Sequence, residues 1–343
     1  MILISHSGIF IHAQDHYLSY CLIYRGGQFQ NYAKILLMTM RIVFMGSPEF
    51  ALPTLKKLTE HYSVVGVVTQ PDRPAGRGRE MKPPPVKLLA ESIGLPVIQP
   101  SRLREPEAIE QLRAWAPDLI VVAAFGQILR QEVLDLPPYG CVNVHASLLP
   151  RWRGAAPINA AILHGDEQTG VTIMCMDAGL DTGPILSQQA IPIEPDDTAA
   201  TLGEKLARLG ADLLIETLPP YLEGELQPQP QDDSLATYAP MLKKEDGWLD
   251  FRRPAAMLAR QVRAYHPWPG AFYEGWPGGH LKVLRARSVL DAHLQLNPGE
   301  RAIYQGLPAV HAADGLLILE EVQPAGKKAM SGKTFLLGAR NWA

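Results

Sequence analysis

Strand, helix and strand succeed one another soon after Met40, and this alternation limits the fold more than any other feature of the chain. Arg41–Met45 is a short apolar run closed by Gly46. Phe50, Leu52, Leu55 and Leu58 then recur at helical spacing, and Val64–Val68 is a β-branched run suited to a buried strand. Such a unit, completed within about thirty residues, predicts a βαβ crossover and a parallel sheet. The pattern continues with a helix over 86–93, a strand over 95–98, a helix over 106–115 and a strand over 118–123. Further strands are predicted at 141–145, 171–175 and 185–190, and helices at 155–163 and 198–222.

The first turn, Gly46-Ser47-Pro48-Glu49-Phe50, has one glycine where a dinucleotide fingerprint needs three. A Rossmann-like sheet without nicotinamide binding is therefore expected. The texture changes after Leu222. Residues 224–245 are polar and proline-containing and read as a linker, and residues 246–343 carry one amphipathic helix and then short β runs. The runs at 271–273, 281–285, 302–304, 309–311 and 316–319 suggest a small C-terminal barrel. The fold class is thus α/β, a Rossmann-like parallel sheet domain over 40–223 followed by a small β-barrel domain over 246–343. Residues 1–39 lack sustained periodicity, and they are expected to be a disordered or non-native extension, with translation starting at Met38 or Met40.

The 343 residues carry a net charge of -3, which by itself points to no polyanion. The charge is unevenly placed, however. Residues 240–343 hold 14 Lys and Arg against 9 Asp and Glu, a balance of +5, while the rest of the chain stands at -8. A basic C-terminal part could orient an anionic partner, although any two-domain protein can divide its charge this way. Cys21, Cys141 and Cys175 fit neither a zinc pattern nor a disulfide framework, so buried thiols in a reducing cytoplasm are expected. No apolar run reaches the roughly 18 residues of a spanning helix, and no His, Cys and carboxylate cluster has metal-ligand spacing.

Chemistry concentrates in Cys141–Pro157, CVNVHASLLPRWRGAAP. Asn143 and His145 stand two apart in an apolar run, which puts both side chains on one face of a strand. A donor amide and an imidazole at a strand's exit suit the handling of a carbonyl: both can donate to an oxyanion. Asn-x-His alone is more often a satisfied buried pair. Asp181, in the glycine-rich turn Met176–Pro184, could orient the imidazole as a triad carboxylate does. Spacing does not decide whether it reaches His145, and an Asx-turn that only closes a loop fits the neighbouring Asp177 as well.

The proline-, glycine- and arginine-rich segment 71–85 can be neither helix nor central strand, and its length favours a functional loop. Asp72–Lys87 places Arg73, Arg77, Arg79, Lys82 and Lys87 against Asp72 and Glu80, a balance of +3. Lys and Arg neutralise phosphates, though a solvated basic loop has the same look. Arg151, Arg153 and the Lys327-Lys328 pair pose the same choice. Trp152 reads as packing and His164 as structural.

The string NVHASLLPRWRGAAPI, followed by GLDTGPIL, resembles the folate-dependent formyltransferases. FMGSPEFA, TQPDRPAGRGR, YHPWPGA and QPAGKKAMSG extend the resemblance over nearly all of residues 40–343, to the members that act on an aminoacylated tRNA. The resemblance implies Asn143, His145 and Asp181 as the catalytic trio, with Ser147, Leu148, Leu149 and Pro150 lining the folate site. It implies a C-terminal barrel of oligonucleotide-binding type, 10-formyltetrahydrofolate as cosubstrate and no metal. Initiator methionyl-tRNA is the implied partner, contacted by Arg73, Arg77, Arg79, Lys327 and Lys328, and the enzyme is expected to be a cytoplasmic monomer with no membrane association. Position 146 is Ala where Gly is frequent in the family, and position 266 is His where Asn is common. Glycinamide ribonucleotide or amino-sugar-nucleotide formylation would use the same core without needing the arginine loop. A catalytically silent tRNA-binding protein would not need the trio.

Overall fold

The structure, a computed structural model, describes residues 40–75, 80–276, 278–290, 297–339 and 341–343. Residues 1–39, including Cys21, and the loop residues Arg77 and Arg79 lie outside it. In chain order the strands of the first part are β1 (Arg41–Gly46), β2 (Ser63–Val68), β3 (Arg73–Ala75), β4 (Glu80–Lys82), β5 (Val97–Ile98), β6 (Leu119–Ala123), β7 (Cys141–His145), β8 (Arg153–Gly154), β9 (Gln168–Cys175), β10 (Ile185–Pro192) and β11 (Tyr238–Ala239). The helices are α1 (Leu52–His61), α2 (Pro85–Ser92), α3 (Pro106–Trp115), α4 (Gln131–Leu134), α5 (Pro157–His164) and α6 (Ala199–Leu222).

One seven-stranded sheet runs in the order β10-β9-β7-β6-β1-β2-β5. Its five strands from β7 to β5 are parallel; four of them are fully or largely buried, as the β-branched runs require, and the two-residue edge strand β5 is half-buried. β9 and β10 join antiparallel, so the sheet is dominated by parallel pairing without being wholly parallel. The link Met176–Pro184 holds no crossover helix, and a parallel return from β9 to β10 would need one. Core residues divide by face. Val142 and Val144 of β7 pack with Ile42, Phe44, Leu55, Leu206 and Leu214 on one side. Cys141 packs with Val43, Met45, Ile120, Val122 and Leu112 on the other. The chain leaves β1 toward β2 and β5, then returns to β6 and β7 on the far side of β1. The crevice at the carboxyl ends of β1 and β6 is therefore a topological switch point, where open α/β sheets bind ligands.

α6 is started by a capping box in which Thr198 and Thr201 each satisfy the other's backbone N–H. Asp197, just before it, is buried. Burial pushes its carboxyl up, but Lys205, the Glu194 N–H and the Thr201 hydroxyl outweigh that and hold it below the usual range.

The C-terminal part comprises α7 (Ala255–Ala264), β12 (Ala271–Tyr273), β13 (Leu281–Leu290), β14 (Arg301–Tyr304), β15 (Leu307–His311), β16 (Gly315–Pro324), β17 (Met330–Ser331) and α8 (Gly332–Gly338). Its antiparallel sheet has the order β12-β13-β16-β15-β14, with β17 on β16. No pair closing it into a barrel is found among the described residues. β13 and β16 are ten residues each, longer than the apolar runs that signal them. Their pairing continues past irregularities at Val283/Arg285 and Arg285/Ala286, where charged residues interrupt the hydrophobic pattern. α7 is also bonded to the first part: Asn159 Nδ2 donates to the Ala264 carbonyl at 2.6 Å and Arg263 Nη1 to that of Asp197 at 2.7 Å. Residues 40–343 lie in one compact unit.

Candidate active site

Asn143 and His145 continue the face of β7 that Cys141 begins, beyond the apolar cover that buries the cysteine. They are 8% and 6% exposed. Among the described residues the Asn143 amide takes no hydrogen-bond partner, and its polar atoms are not among those wholly shut off from solvent, which leaves them open to a ligand. His145 is hydrogen-bonded at one ring nitrogen and faces a carboxylate with the other. Nε2 lies 3.0 Å from the Trp152 carbonyl. A carbonyl can only accept, so Nε2 carries the proton in that bond. Nδ1 lies 3.7 Å from Oδ2 of Asp181, too far for a direct hydrogen bond but close enough to share a proton's charge. The structure thus brings together the three residues that the chain holds up to 38 positions apart.

Asp181 adopts φ +51, a conformation that Asp tolerates better than most residues. Its Oδ2 also accepts the Gly154 N–H at 2.8 Å. Asp177, by contrast, closes the loop. Its carboxylate accepts from the Thr182 hydroxyl at 2.7 and 2.9 Å and from the Gly179 N–H at 3.0 Å. The ambiguity between the two aspartates in the sequence is resolved by these contacts.

The exit Ser147–Pro150 is anchored from below. Thr172 donates to the Ser147 carbonyl at 2.7 Å and accepts the Leu149 N–H at 3.0 Å, while Gln188 Nε2 donates to the Leu149 carbonyl and to Thr172, each at 2.8 Å. Ser147 and Leu149 are buried, the serine hydroxyl donating to the Arg151 carbonyl at 2.6 Å, and Leu148 and Pro150 are half-buried. Thr172, Gln188, the Trp152 carbonyl and Gly154 escaped sequence reasoning. They act through backbone groups or across strands, and no local pattern marks that.

Arg151 and Arg153, for which the sequence leaves the choice between an anion and a structural role open, are each paired with a carboxylate. Arg151 pairs with Asp166 and lies over the Trp152 ring, 4.3 Å from its centroid. Burial pushes the Asp166 carboxyl up, but Arg151 and the Trp152 indole N–H prevail and hold it below the usual range. Arg153 is 2% exposed and bonded to Gln231 and Asp233. Trp152 is packing, as expected, against Ala160, Ala161 and Ala239, with His164 beside it at 4.6 Å between ring centroids. Burial also pushes the Cys141 thiol up to about 12, so it is inert at neutral pH.

The basic residues lie apart from this cluster in the chain. Arg73 is exposed on β3, which pairs with β4 as a small hairpin inside the predicted loop, and its Nη2 donates to Gln70 Oε1 at 3.0 Å. Lys87 is spent on Asp72 at 3.0 Å. Lys327 and Lys328 are exposed in the turn between β16 and β17.

A family model described as "Formyl transferase" matches residues 40–218, and "Formyl transferase, C-terminal domain" matches 241–340. The chain belongs to the formyl transferase family. Its relatives in that family include a methionyl-tRNA formyltransferase of Geobacter sulfurreducens, 51% identical over 304 residues, covering 88% of this chain and 94% of the relative. That of Geotalea daltonii is 52% identical over 300 residues, covering 87% and 95%. Among solved structures, the sugar 3N-formyl transferase WlaRD, crystallised with dTDP and 5-N-formyl-THF, superposes with TM-score 0.60 at 17% identity over 85% of this chain and 99% of that one. HypX from Aquifex aeolicus, in complex with tetrahydrofolic acid, gives 0.58 at 18% over 87% and 47%. At that identity these two structures speak for the fold alone. Among the described residues of this formyl transferase no helix is long and apolar enough to cross a membrane, and no group of His, Cys and carboxylates could hold a metal.

Proposed function

We propose that the chain transfers the formyl group of 10-formyltetrahydrofolate to the α-amino group of the methionine on initiator methionyl-tRNA, as a cytoplasmic monomer. The observation that carries the acceptor is identity of about half, sustained over 87–88% of the chain, to enzymes named for methionyl-tRNA. In this reading residues 40–223 perform the chemistry and residues 246–343, taken as an oligonucleotide-binding barrel, hold the tRNA.

The donor supplies a formyl carbon activated by its bond to a tetrahydrofolate nitrogen. The unpartnered Asn143 amide fits a formyl oxygen, and its N–H would hold the negative charge that develops there. Such a donor contributes about 2.7–4 kcal/mol to lowering a barrier. The acceptor's α-amino group has a pKa of about 7.7–8.0, so much of it arrives as ammonium and must lose a proton. With Nε2 donating to the Trp152 carbonyl, the free lone pair of His145 is on Nδ1, facing the Asp181 carboxylate across 3.7 Å. Two acceptors facing one space attract an ammonium, take its proton at Nδ1 and stabilise the resulting imidazolium, a carbonyl at one N–H and a carboxylate at the other. Once that first proton has passed from His145 to solvent, the amine nitrogen bonds to the formyl carbon and gives its second proton to Nδ1. The bond from that carbon to the folate nitrogen then breaks, and this second proton passes to the leaving nitrogen, so that a neutral amide and a neutral folate amine result. Ser147, Leu148, Leu149 and Pro150 shape the folate side of this space. Arg73, Arg77, Arg79, Lys327 and Lys328 meet tRNA phosphates.

Purified protein, 10-formyltetrahydrofolate and separate acceptors test the proposal. Formyl methionyl-tRNA is the expected product. Formylation of an amino-sugar nucleotide or of glycinamide ribonucleotide, with methionyl-tRNA untouched, refutes it.

A further inference from the structure

The segment that reads as a linker is bonded into the candidate site at five places, the last of them Asp233 on Arg153. Gln229 and Ile185 exchange backbone hydrogen bonds of 2.7 and 2.8 Å. The Thr237 hydroxyl accepts the Trp152 N–H at 2.9 Å, and β11 pairs in parallel with β8. The fourth place is Gln231. Its Nε2 donates to the carbonyls of Asp181 at 2.9 Å and Gly183 at 2.7 Å. Its Oε1 accepts from Nε and Nη2 of Arg153 at 3.1 and 2.8 Å. Both donors and both lone pairs of one amide are thereby used. The orientation of that amide is forced: a flip would set its NH2 against guanidinium donors and its oxygen against two carbonyls, four mismatches at once.

We propose that Gln231 is a positioning residue for the reaction: it fixes the left-handed turn at Asp181 so that the carboxylate faces His145. Asp181 needs such a restraint, because its backbone is at φ +51 and its Oδ2 must stay between the Gly154 N–H and the imidazole. Arg153, 2% exposed, fixes Gln231 in turn and is completed by the exposed Asp233 at 2.7 Å. The chain of contacts runs Asp233, Arg153, Gln231, Asp181, and it ties residues 231–233 to the carboxylate. The inference rests on the reading that Asp181 and His145 act together at the reacting centre.

Gln231→Glu tests it. The carboxylate keeps, and strengthens, the bond to Arg153, so the buried guanidinium stays paired and the fold survives. It removes only the two donations to Asp181 and Gly183 and sets an oxygen against both carbonyls. Formyl transfer should lose roughly 10²-fold in kcat, the cost of an ångström's misplacement, with KM for both substrates changed by no more than about twofold. Gln227→Ala, whose exposed side chain donates to the Gly224 carbonyl, is the control and should keep the wild-type rate. Nitrogen-15 spectra of the His145 ring give a reading independent of turnover. The Nδ1 resonance should move in Gln231→Glu and stay in Gln227→Ala. A His145 resonance unmoved by Gln231→Glu overturns the inference, whatever the rate. If the wild-type protein formylates no acceptor, the functional reading falls, and the ring resonances still decide whether Gln231 places Asp181.

Discussion

Gly154→Ala separates the demand of the site from ordinary backbone strain. Gly154 sits at φ +113, and a Cβ there would lie 2.7 Å from the Ala239 carbonyl oxygen. That oxygen cannot easily withdraw, because it accepts the N–H groups of Ala155 at 2.9 Å and Ala156 at 3.4 Å. The substitution therefore adds backbone strain of about 1–3 kcal/mol to an overpacking cost of about 1–3 kcal/mol, for a total of about 2–6 kcal/mol. Separating β8 from β11 also draws the Gly154 N–H away from Asp181, a charge-assisted bond of 2.8 Å that helps hold the carboxylate in place. Formyl transfer should fall by at least about tenfold as a result. Gly94→Ala is the matched control: φ is +76, nothing lies within 4 Å of the new Cβ, and the position is remote from the site in the fold. It should cost only about 1–2 kcal/mol and no activity. Urea unfolding at 25 °C measures both stabilities, and initial rates of formyl transfer at saturating substrate measure the site. Equal destabilisation by the two variants, or full turnover in Gly154→Ala, would refute the reasoning.

Three further expectations concern other residues. His145→Ala should lower kcat by roughly 10²–10⁴-fold while leaving the folate dissociation constant nearly unchanged, as equilibrium binding alongside turnover will show. Lys327→Ala with Lys328→Ala should weaken tRNA use while sparing folate binding, and should flatten the salt dependence of tRNA affinity by about one unit of logarithmic slope for each phosphate that is no longer neutralised. Asp197→Asn should destabilise the fold by about 1.5–3 kcal/mol, since hydrogen bonds from Lys205 and the Glu194 N–H to a charge become bonds to a neutral amide. The Asp197 carboxyl is held below its unfolded value, so its stabilisation is complete above about pH 4 and is lost as pH falls through the lower folded value. Denaturation curves at neutral pH should therefore separate wild type from Asp197→Asn, and curves taken in strong acid should bring them together.

Much of the parallel sheet is legible in the sequence because most of its strands are buried, largely β-branched runs bounded by a turn. The helix over Pro106–Trp115 and the strand over Cys141–His145 fall where the pattern puts them. Elements lacking a pattern of their own are not legible. β8 and β11 are two residues each and exist only as partners of one another. α4 is a single turn, and the β3–β4 hairpin lies within a segment whose prolines and glycines argue only against regular central structure. The length of β13 and β16 is hidden for another reason. Their pairing survives local irregularities at which the alternation of apolar and polar residues breaks.

The same contrast divides the site. Asn143 and His145 are legible because a period of two on one strand is a local fact. The contact of Asp181 with His145 is not, and the reason is physical: a carboxylate is placed by whatever satisfies its turn, and here that comes from distant chain. The Gly154 N–H reaches it across 27 residues and the Gln231 amide reaches its backbone across 50. A polar, proline-containing stretch such as 224–245 has the composition of a connector because it buries only a few apolar side chains, such as Leu226, Ala239 and Leu242. That says nothing about its hydrogen bonds. Each backbone donor and acceptor in such a stretch must still be satisfied, and two carbonyls of a left-handed turn must be satisfied too. Gln231 meets both requirements with one side chain, so a segment that contributes little to the core can still govern the geometry of the chemistry.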